Sequence, residues 1–215
     1  MTDSKLIFFH SPRTRSTGTR ILLEELSAPY ELHDVNFRIG AQRDPAYLAI
    51  NPLGKVPAIK HGDAVVTEQG AIYIYLADAF PQAGLAPAIG DPLRGPYLRW
   101  LVYYGSAFEP AMVDRAMKRD AGGHAMSPYG SYDEVMAQVR AQLAKGPYLL
   151  GERFTAADIL WATALRWMTA FGLAEATPEI AGYIERVTSR PSFAKVQAED
   201  DALQAEHERI AAARG

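Results

Sequence analysis

The order of hydrophobic patterns along the first 80 residues constrains the fold more than any other feature of this sequence. Short apolar runs bounded by polar or turn-forming residues are typical of strands and occur at 5–10, 30–37, 56–61 and 64–67. Apolar residues at helical spacing predict helices over 16–26 and 68–80 and a short helix over 45–50. The order β-α-β-(α)-β-β-α then predicts a mixed sheet of four strands with flanking helices.

After this segment the pattern changes. Residues 81–91 are rich in Pro, Gly and Ala, which predicts a linker rather than a regular element. From residue 92 onward the apolar residues recur only at helical spacing. The sequence therefore predicts an α/β domain over 1–80, a linker over 81–91 and an all-helical domain over 92–215.

Composition narrows the chemistry that these domains can perform. The 215 residues include 22 Lys and Arg against 25 Asp and Glu, for a formal net charge of −3, and no cysteine. Without cysteine the chain has no disulfide, no thiolate metal site and no thiol nucleophile of its own. Any thiol chemistry must therefore be brought by a ligand.

Charge and hydropathy also exclude several partners. The near balance of acidic and basic residues leaves no basic footprint for nucleic acid or for an anionic membrane. No apolar run approaches the length of a membrane span, and no secretory signal pattern opens the chain, so we expect a cytoplasmic protein. The five histidines show no metal-ligand spacing, and we expect no metal.

A helix start is encoded at Thr155 and Asp158, which stand three residues apart before an apolar stretch. This spacing predicts a capping box, in which each side chain satisfies the backbone N–H of the other residue. Such a box stabilises the fold and has no part in chemistry.

Several motifs stand in an order that resembles the glutathione S-transferase family. They are KLIFFH followed by SPRTRS, then ILLEELSAPYE, NPLGKVPAI, TEQGAIYIYLAD and ERFTAADILWAT. The resemblance covers nearly the whole chain, and the loop SPRTRS is similar to that of the bacterial beta class. It implies a thioredoxin-like first domain, a helical second domain, glutathione as co-substrate and a homodimer in which each glutathione site lies near the partner chain.

The resemblance further implies where glutathione binds. It implies a cis peptide bond between Val56 and Pro57, which offers the Val56 backbone to the ligand as to an added strand. Glu68 is expected to hold the γ-glutamyl ammonium group, and Gln69, at a helix start, the adjacent carboxylate. Lys55 is a candidate for the glycyl carboxylate. The plainer alternatives are a strand-entry proline, an acid that favours a helix start and a solvated lysine. The family usually has Ser or Thr in place of Gln69.

Ionisation of the glutathione thiol requires a hydrogen-bond donor, and the loop 11–16 offers three hydroxyls. Making the thiol mostly thiolate at neutral pH requires about 2.7 kcal/mol. A hydrogen bond to a charged group supplies ~1.5–3 kcal/mol and a helix N-terminus ~0.3–1 kcal/mol, so one hydroxyl at a helix start is nearly sufficient. We predict Ser16 as this catalytic hydroxyl, with Thr14 and Ser11 as competitors; the alternative is that Ser16 only caps the helix.

Two arginines flank these hydroxyls. The beta-class cysteine falls at the position of Arg15, so the mixed-disulfide chemistry of that class is excluded here. Arg13 and Arg15 are predicted to raise the local positive potential beside bound glutathione; the alternative is that both pair with nearby acids on the surface.

An apolar pocket for the electrophile is predicted from aromatic residues of the helical domain: Tyr103, Tyr104, Phe108 and Trp167. Aromatic residues at helical spacing are also typical of a core, which is the alternative. The resulting hypothesis is a transferase that conjugates glutathione to a small apolar electrophile. A non-catalytic module for protein association, and a glutathione-dependent isomerase, dehalogenase or peroxidase, remain as alternatives.

Overall fold

Two units make up the computed structural model, which describes residues 5–214. The first unit runs to Ala83 and resumes at Pro191, and the second runs from Gly84 to Arg190. The sequence-based division differs here, because it placed everything after residue 91 in one helical domain. The last helix instead packs against the first helix of the α/β unit, and it buries charged residues there that no sequence periodicity assigns to a particular neighbour.

The first unit is built on a mixed sheet of four strands in the order β2-β1-β3-β4. Its elements are β1 (Leu6–His10), α1 (Ser16–Glu25), β2 (Glu31–Asp34), α2 (Pro45–Leu48), β3 (Ala58–His61), β4 (Ala64–Val66) and α3 (Gln69–Ala79). Strand β1 pairs in parallel with β2 and antiparallel with β3, and β3 pairs antiparallel with β4. The predicted thioredoxin-like arrangement is confirmed. Strand β3 begins at Ala58 rather than at residue 56, and the proline before it has no N–H for the ladder.

The second unit is helical. Its elements are α4 (Arg94–Tyr103), a π-helical turn (Tyr104–Phe108), α5 (Glu109–Met117), α6 (Tyr132–Leu143), α7 (Ala156–Ala170) and α8 (Pro178–Thr188). The buried α7 carries Trp161, whose indole N–H donates to the carbonyl of Trp100 at 3.0 Å. The capping box predicted at Thr155 and Asp158 is confirmed at the start of α7. Helix α9 (Pro191–Ala212) then returns to the first unit.

Two properties of the described part of the chain bear on its partners. None of its helices is both long and apolar enough to cross a membrane. Among residues 5–214, no group of three or more His, Cys, Asp or Glu side chains is placed to hold a metal ion.

Candidate functional site

Three loops meet at one edge of the sheet in the first unit. Phe9, near the end of β1, pairs with Ala58 at the start of β3, and Ile59 pairs with Val66 at the end of β4. The loops at 11–15, 55–57 and 67–69 therefore emerge at the same edge.

A direct contact links two of these loops. The Gln69 side-chain amide donates from Nε2 to the Arg15 carbonyl at 3.1 Å. Gln69 and Arg15, which are 54 positions apart in the sequence, are thus in contact.

Side-chain hydrogen bonds hold the segment before β3 in place at Lys55. The Lys55 carbonyl accepts hydrogen bonds from the Tyr47 hydroxyl and, at 2.9 Å, from the Asn51 amide. Burial raises the pKa of Tyr47 to about 12, so this phenol remains a donor at neutral pH. The Val56–Pro57 peptide bond is cis. Within residues 5–214 the Val56 N–H and C=O make no backbone–backbone hydrogen bond, so both are available to a peptide-like ligand.

The start of α3 combines an exposed acid with free backbone donors. Glu68 is exposed and has a φ of 64°, a conformation that costs a non-glycine residue of order 1–3 kcal/mol and occurs often at ligand sites. The Ile72 N–H makes a hydrogen bond to the Glu68 carbonyl, so the three N–H groups before it precede the helical ladder. The Gln69 side chain is already committed to the Arg15 carbonyl, which leaves its backbone N–H for an anion.

The hydroxyl of Ser16 does not face outward as predicted. Ser16 is fully buried, and its Oγ lies 2.8 Å from His10 Nδ1 and 2.7 Å from Thr14 Oγ1. It also accepts from the Ser11 N–H at 3.2 Å and lies 3.0 Å from the Ser11 carbonyl. Every direction around this oxygen is therefore taken by protein. Nor does Ser16 cap α1, since the N-cap is Arg15 and no side chain caps that end.

Thr14 is the partly exposed hydroxyl of the loop. Its Oγ1 lies 2.7 Å from the Ser11 carbonyl and accepts from the Ser16 N–H at 3.2 Å. Ser11 is buried. Of Ser16 and its two competitors, Thr14 is the one that is not buried.

The two arginines of the loop are exposed. Arg13 donates to Asp201 on α9 at 3.2 Å, and its φ is 54°. This matches the alternative of an arginine paired with a surface acid. Arg15 contributes its carbonyl to Gln69.

Sequence reasoning missed two buried residues of this loop's support, His10 and Asp200. His10 Nε2 lies 2.9 Å from Asp200 Oδ1, and both residues are buried. The other partners of the Asp200 carboxylate are Arg20, at 2.8 Å, and Thr17, at 2.6 Å. The two members of the pair are 190 positions apart, so no local spacing could have signalled it.

The electrostatics of Asp200 follow from these partners. Burial alone would raise the pKa of its carboxyl. Hydrogen bonding and charge from His10, aided by Thr17 and Arg20, outweigh burial and hold that pKa below its ordinary value. Asp200 is therefore an ionised carboxylate at neutral pH.

The predicted electrophile residues divide into two groups in the second unit. The rings of Tyr103, Tyr104 and Phe108 all contact the Trp161 ring. Tyr104 and Phe108 are buried, which matches the core alternative for these two. The half-buried Trp167 instead contacts Phe171, which ends α7 and is 68% exposed.

Comparison with known proteins agrees with this fold. Residues 4–78 match the family described as Glutathione S-transferase, N-terminal domain, and residues 129–186 match Glutathione S-transferase, C-terminal domain. Glutathione S-transferase 3 of Zea mays is 30% identical over 192 residues, which cover 82% of this chain and 86% of that protein. Glutathione S-transferase GstA of Escherichia coli O157:H7 is 28% identical over 201 residues, which cover 92% and 97%.

Solved structures give the same result. A glutathione transferase homologue from Sulfitobacter, crystallised with bound glutathione, superposes with a TM-score of 0.72 at 30% identity, covering 91% of this chain and 98% of that one. The glutathione transferase of Methylococcus capsulatus superposes with a TM-score of 0.76 at 27% identity, covering 92% and 99%. The chain belongs to the glutathione S-transferase family. It is an enzyme whose activity, in general terms, is that of a glutathione transferase.

Proposed function

We propose that this enzyme binds glutathione along the sheet edge formed by residues 11–15, 55–57 and 67–69, and activates it as a thiolate for attack on a small apolar electrophile. The observation that carries the proposal is the convergence of three complementary features at this edge. They are the unpaired backbone of Val56, the free N–H groups at the start of α3 beside the exposed Glu68, and the partly exposed hydroxyl of Thr14.

The charges of the tripeptide match this arrangement. The Val56 backbone pairs with the peptide part of glutathione. The Glu68 carboxylate takes the ammonium group, and the Gln69 N–H takes the carboxylate on the same carbon, aided by the positive end of α3. Lys55, exposed before the cis bond, takes the glycyl carboxylate.

The sulfur is assigned to Thr14, with Ser16 directly behind it. This revises the sequence-based choice of Ser16, because a buried hydroxyl surrounded by protein acceptors and donors cannot reach a ligand. The Thr14 hydroxyl donates to the thiolate and is itself polarised by the Ser16 N–H at the start of α1. A donor to a charged sulfur supplies ~1.5–3 kcal/mol, which is of the size that thiolate formation requires.

The electrophile is assigned to the second unit. Of the four aromatic residues predicted for its pocket, Tyr103 and Trp167 are partly exposed and are the ones offered to a ligand. Tyr104 and Phe108 are buried, and their rings contact each other in the core. Association as a homodimer stays a prediction.

The test combines binding and turnover. Purified protein is applied to immobilised glutathione, and conjugation of an aryl halide is then measured for the wild type, Thr14→Val and Thr14→Ser. We expect Thr14→Val to lower kcat/KM about 10- to 100-fold, the equivalent of one lost charged hydrogen bond. Thr14→Ser keeps the hydroxyl and serves as the matched control.

Three outcomes would contradict the proposal or a part of it. A folded protein that does not bind glutathione excludes the site itself. Glutathione binding without turnover of any electrophile favours the non-catalytic alternative. An unaltered rate in Thr14→Val removes only the assignment of the hydroxyl.

A further inference from the structure

A continuous series of hydrogen bonds leads from the ligand edge into the interior of the first unit. Thr14 Oγ1 lies 2.7 Å from Ser16 Oγ, which lies 2.8 Å from His10 Nδ1. His10 Nε2 lies 2.9 Å from Asp200 Oδ1. Only the outermost member, Thr14, is partly exposed, since Ser16 and His10 are 0% exposed and Asp200 1%.

The chemistry of the inner members sets the direction of the protons. The ionised Asp200 only accepts hydrogen bonds, so the nitrogen of His10 that faces it carries the proton. In a neutral imidazole the other nitrogen, Nδ1, then has a lone pair, and this lone pair points at the Ser16 hydroxyl. His10 is thus a proton acceptor aimed at the loop.

The charged groups beside His10 form a small cluster. Asp200 and Glu199 both contact the single guanidinium of Arg20, at 2.8 and 2.6 Å. Two carboxylates and one guanidinium leave one negative charge in this cluster, which a proton on His10 neutralises. The hydroxyls of Thr17 and Tyr30 also contact the cluster, and both are neutral at neutral pH. The exposed Lys195 and Asp201 interact with Glu199 and Asp200 respectively and carry opposite charges. A buried imidazolium is therefore paired rather than isolated.

We propose that His10 is the internal acceptor of the thiol proton of bound glutathione, which reaches it through the hydroxyls of Thr14 and Ser16. The inference rests on the proposed function, because it requires the thiol to lie at Thr14. The arrangement follows the logic of a Ser-His-Asp triad, with the ligand's thiol as the group that is deprotonated.

The proton transfer balances. The step requires the Thr14 and Ser16 protons to point along the path rather than at the Ser11 carbonyl, which lies near both hydroxyls. The S–H bond then breaks as its proton passes to Thr14 Oγ1, the Thr14 proton passes to Ser16 Oγ, and the Ser16 proton passes to His10 Nδ1. A thiolate and an imidazolium replace a thiol and an imidazole, and no net charge is created. The Thr14 hydroxyl still donates to the sulfur afterwards. His10 acts through two hydroxyls and is a positioning residue, as is Asp200.

A second pair in the same unit provides a matched control. His207 of α9 contacts both oxygens of Asp34, at 2.8 Å, and is also buried. It stands seven residues after Asp200 on the same helix, so both pairs attach α9 to the sheet. Within the described residues, no hydroxyl of the loop at 11–16 contacts His207. His207→Gln therefore loses an equivalent contact and leaves the proton path intact.

The experiment follows the proton in the wild-type protein. Protein labelled with ¹⁵N in its histidine rings is titrated with glutathione and, separately, with S-methylglutathione, which has no thiol. We expect the Nδ1 signal of His10 to move to the protonated form with glutathione only. In weak buffer, a pH indicator measures the protons released to solvent, and ultraviolet absorbance measures the amount of thiolate formed. For the wild type we expect clearly less than one released proton per thiolate.

The variants test the path. Ser16→Ala and His10→Gln should release one proton per thiolate and form several-fold less thiolate at neutral pH. His207→Gln should behave as the wild type does. Ser16→Ala keeps the buried pair and so remains informative if His10→Gln fails to fold.

Three results separate the possible failures. A full proton released per thiolate by the wild type, with the His10 signal unchanged, overturns the relay and leaves the proposed function standing. If His207→Gln forms as little thiolate as His10→Gln does, the effect of His10 is only structural, and the relay is overturned. Absence of binding by glutathione and S-methylglutathione alike contradicts the proposed function, and the relay with it.

Discussion

Two buried aspartates, one in each unit, perform opposite tasks with the same carboxylate. Asp158 accepts from the N–H groups of Leu149 and Thr155 and from the Tyr183 hydroxyl, at 2.8–3.0 Å. Asp200 accepts from an imidazole, a guanidinium and a hydroxyl. Burial raises the pKa of Asp158, whereas charged and titratable partners outweigh burial and lower the pKa of Asp200.

The difference shows how partners decide what a buried acid does. Neutral donors fix the position of Asp158, which therefore joins the start of α7 to the segment before it and to α8. Asp200 adds charge to a path that ends at the ligand edge. Asp158 therefore has a structural role, and Asp200 has an electrostatic one. Both side chains are buried.

The largest expected effect is the loss of stability on replacing Asp158. Asp158→Ala leaves two buried N–H groups without their acceptor, each at a cost of ~1–3 kcal/mol. The Tyr183 hydroxyl loses its carboxylate acceptor and retains only the Asp158 backbone carbonyl, at 3.3 Å. We expect the free energy of unfolding in urea to fall by about 3 kcal/mol or more. Thr155→Ser, which keeps the hydroxyl, is the control. A decrease of less than ~1 kcal/mol in the free energy of unfolding would show that the hydrogen bonds of Asp158 do not stabilise the fold in this way.

Asp200→Ala should cost less. It removes a buried partner from His10, but Arg20 keeps Glu199. We expect a loss of about 2 kcal/mol in the free energy of unfolding. Hydrogen exchange should accelerate in α9, with the helices of the second unit unaffected. If hydrogen exchange accelerated equally in α9 and in the helices of the second unit, the effect of Asp200 would not be confined to the first unit.

The pH dependence of stability should have opposite signs at the two sites. The lowered pKa of Asp200 contributes stability that is present above its ordinary value of 3.8 and is lost as the pH falls through the lowered value. The raised pKa of Asp158 contributes stability that is complete below 3.8 and is lost as the pH rises through the raised value.

Asparagine variants isolate these contributions. The advantage of the wild type over Asp200→Asn should shrink on acidification, and that over Asp158→Asn should shrink as the pH rises. Each slope is limited to about 1.4 kcal/mol per pH unit, because one proton is linked. Urea unfolding across about pH 3 to 7 measures both, and slopes of the same sign would contradict the comparison.

The smallest expected loss of stability is at an exposed capping box. Ser131 and Glu134 form a second capping box at the start of α6. Glu134 is exposed, and among residues 5–214 its partners are Ser131 and His124. We expect Ser131→Ala to cost about 1 kcal/mol, well below Asp158→Ala, because water replaces the lost bonds. A comparable loss for the two variants in thermal unfolding would show that burial does not set the difference.

Much of the α/β unit could be read from local pattern. Short apolar runs with polar or turn-forming residues between them predicted the four strands. The predicted hairpin turn at His61–Asp63 is present, and Gly62 within it has a φ of 60°. The box at Thr155 needs only four consecutive residues. The family resemblance located the cis bond at Val56 because it depends on a motif rather than on packing.

The orientation of Ser16 could not be read in this way. Position at a helix start made Ser16 the natural ligand-facing hydroxyl, and counting along the chain does not reveal that His10 lies behind it. Whether a hydroxyl faces a ligand or an imidazole depends on which side of the helix the rest of the protein covers. Here α9 covers that side, from residues near the other end of the chain.

The sequence by itself determined the two-part architecture, the motifs of the ligand edge and the exclusion of any protein thiol, because each depends on residue type and short spacing. The tertiary structure decided which hydroxyl lies outermost, and it alone joined Asp200 to His10. Burial and long-range pairing arise when distant segments pack together, and a carboxylate acquires its pKa only from the partners that this packing provides.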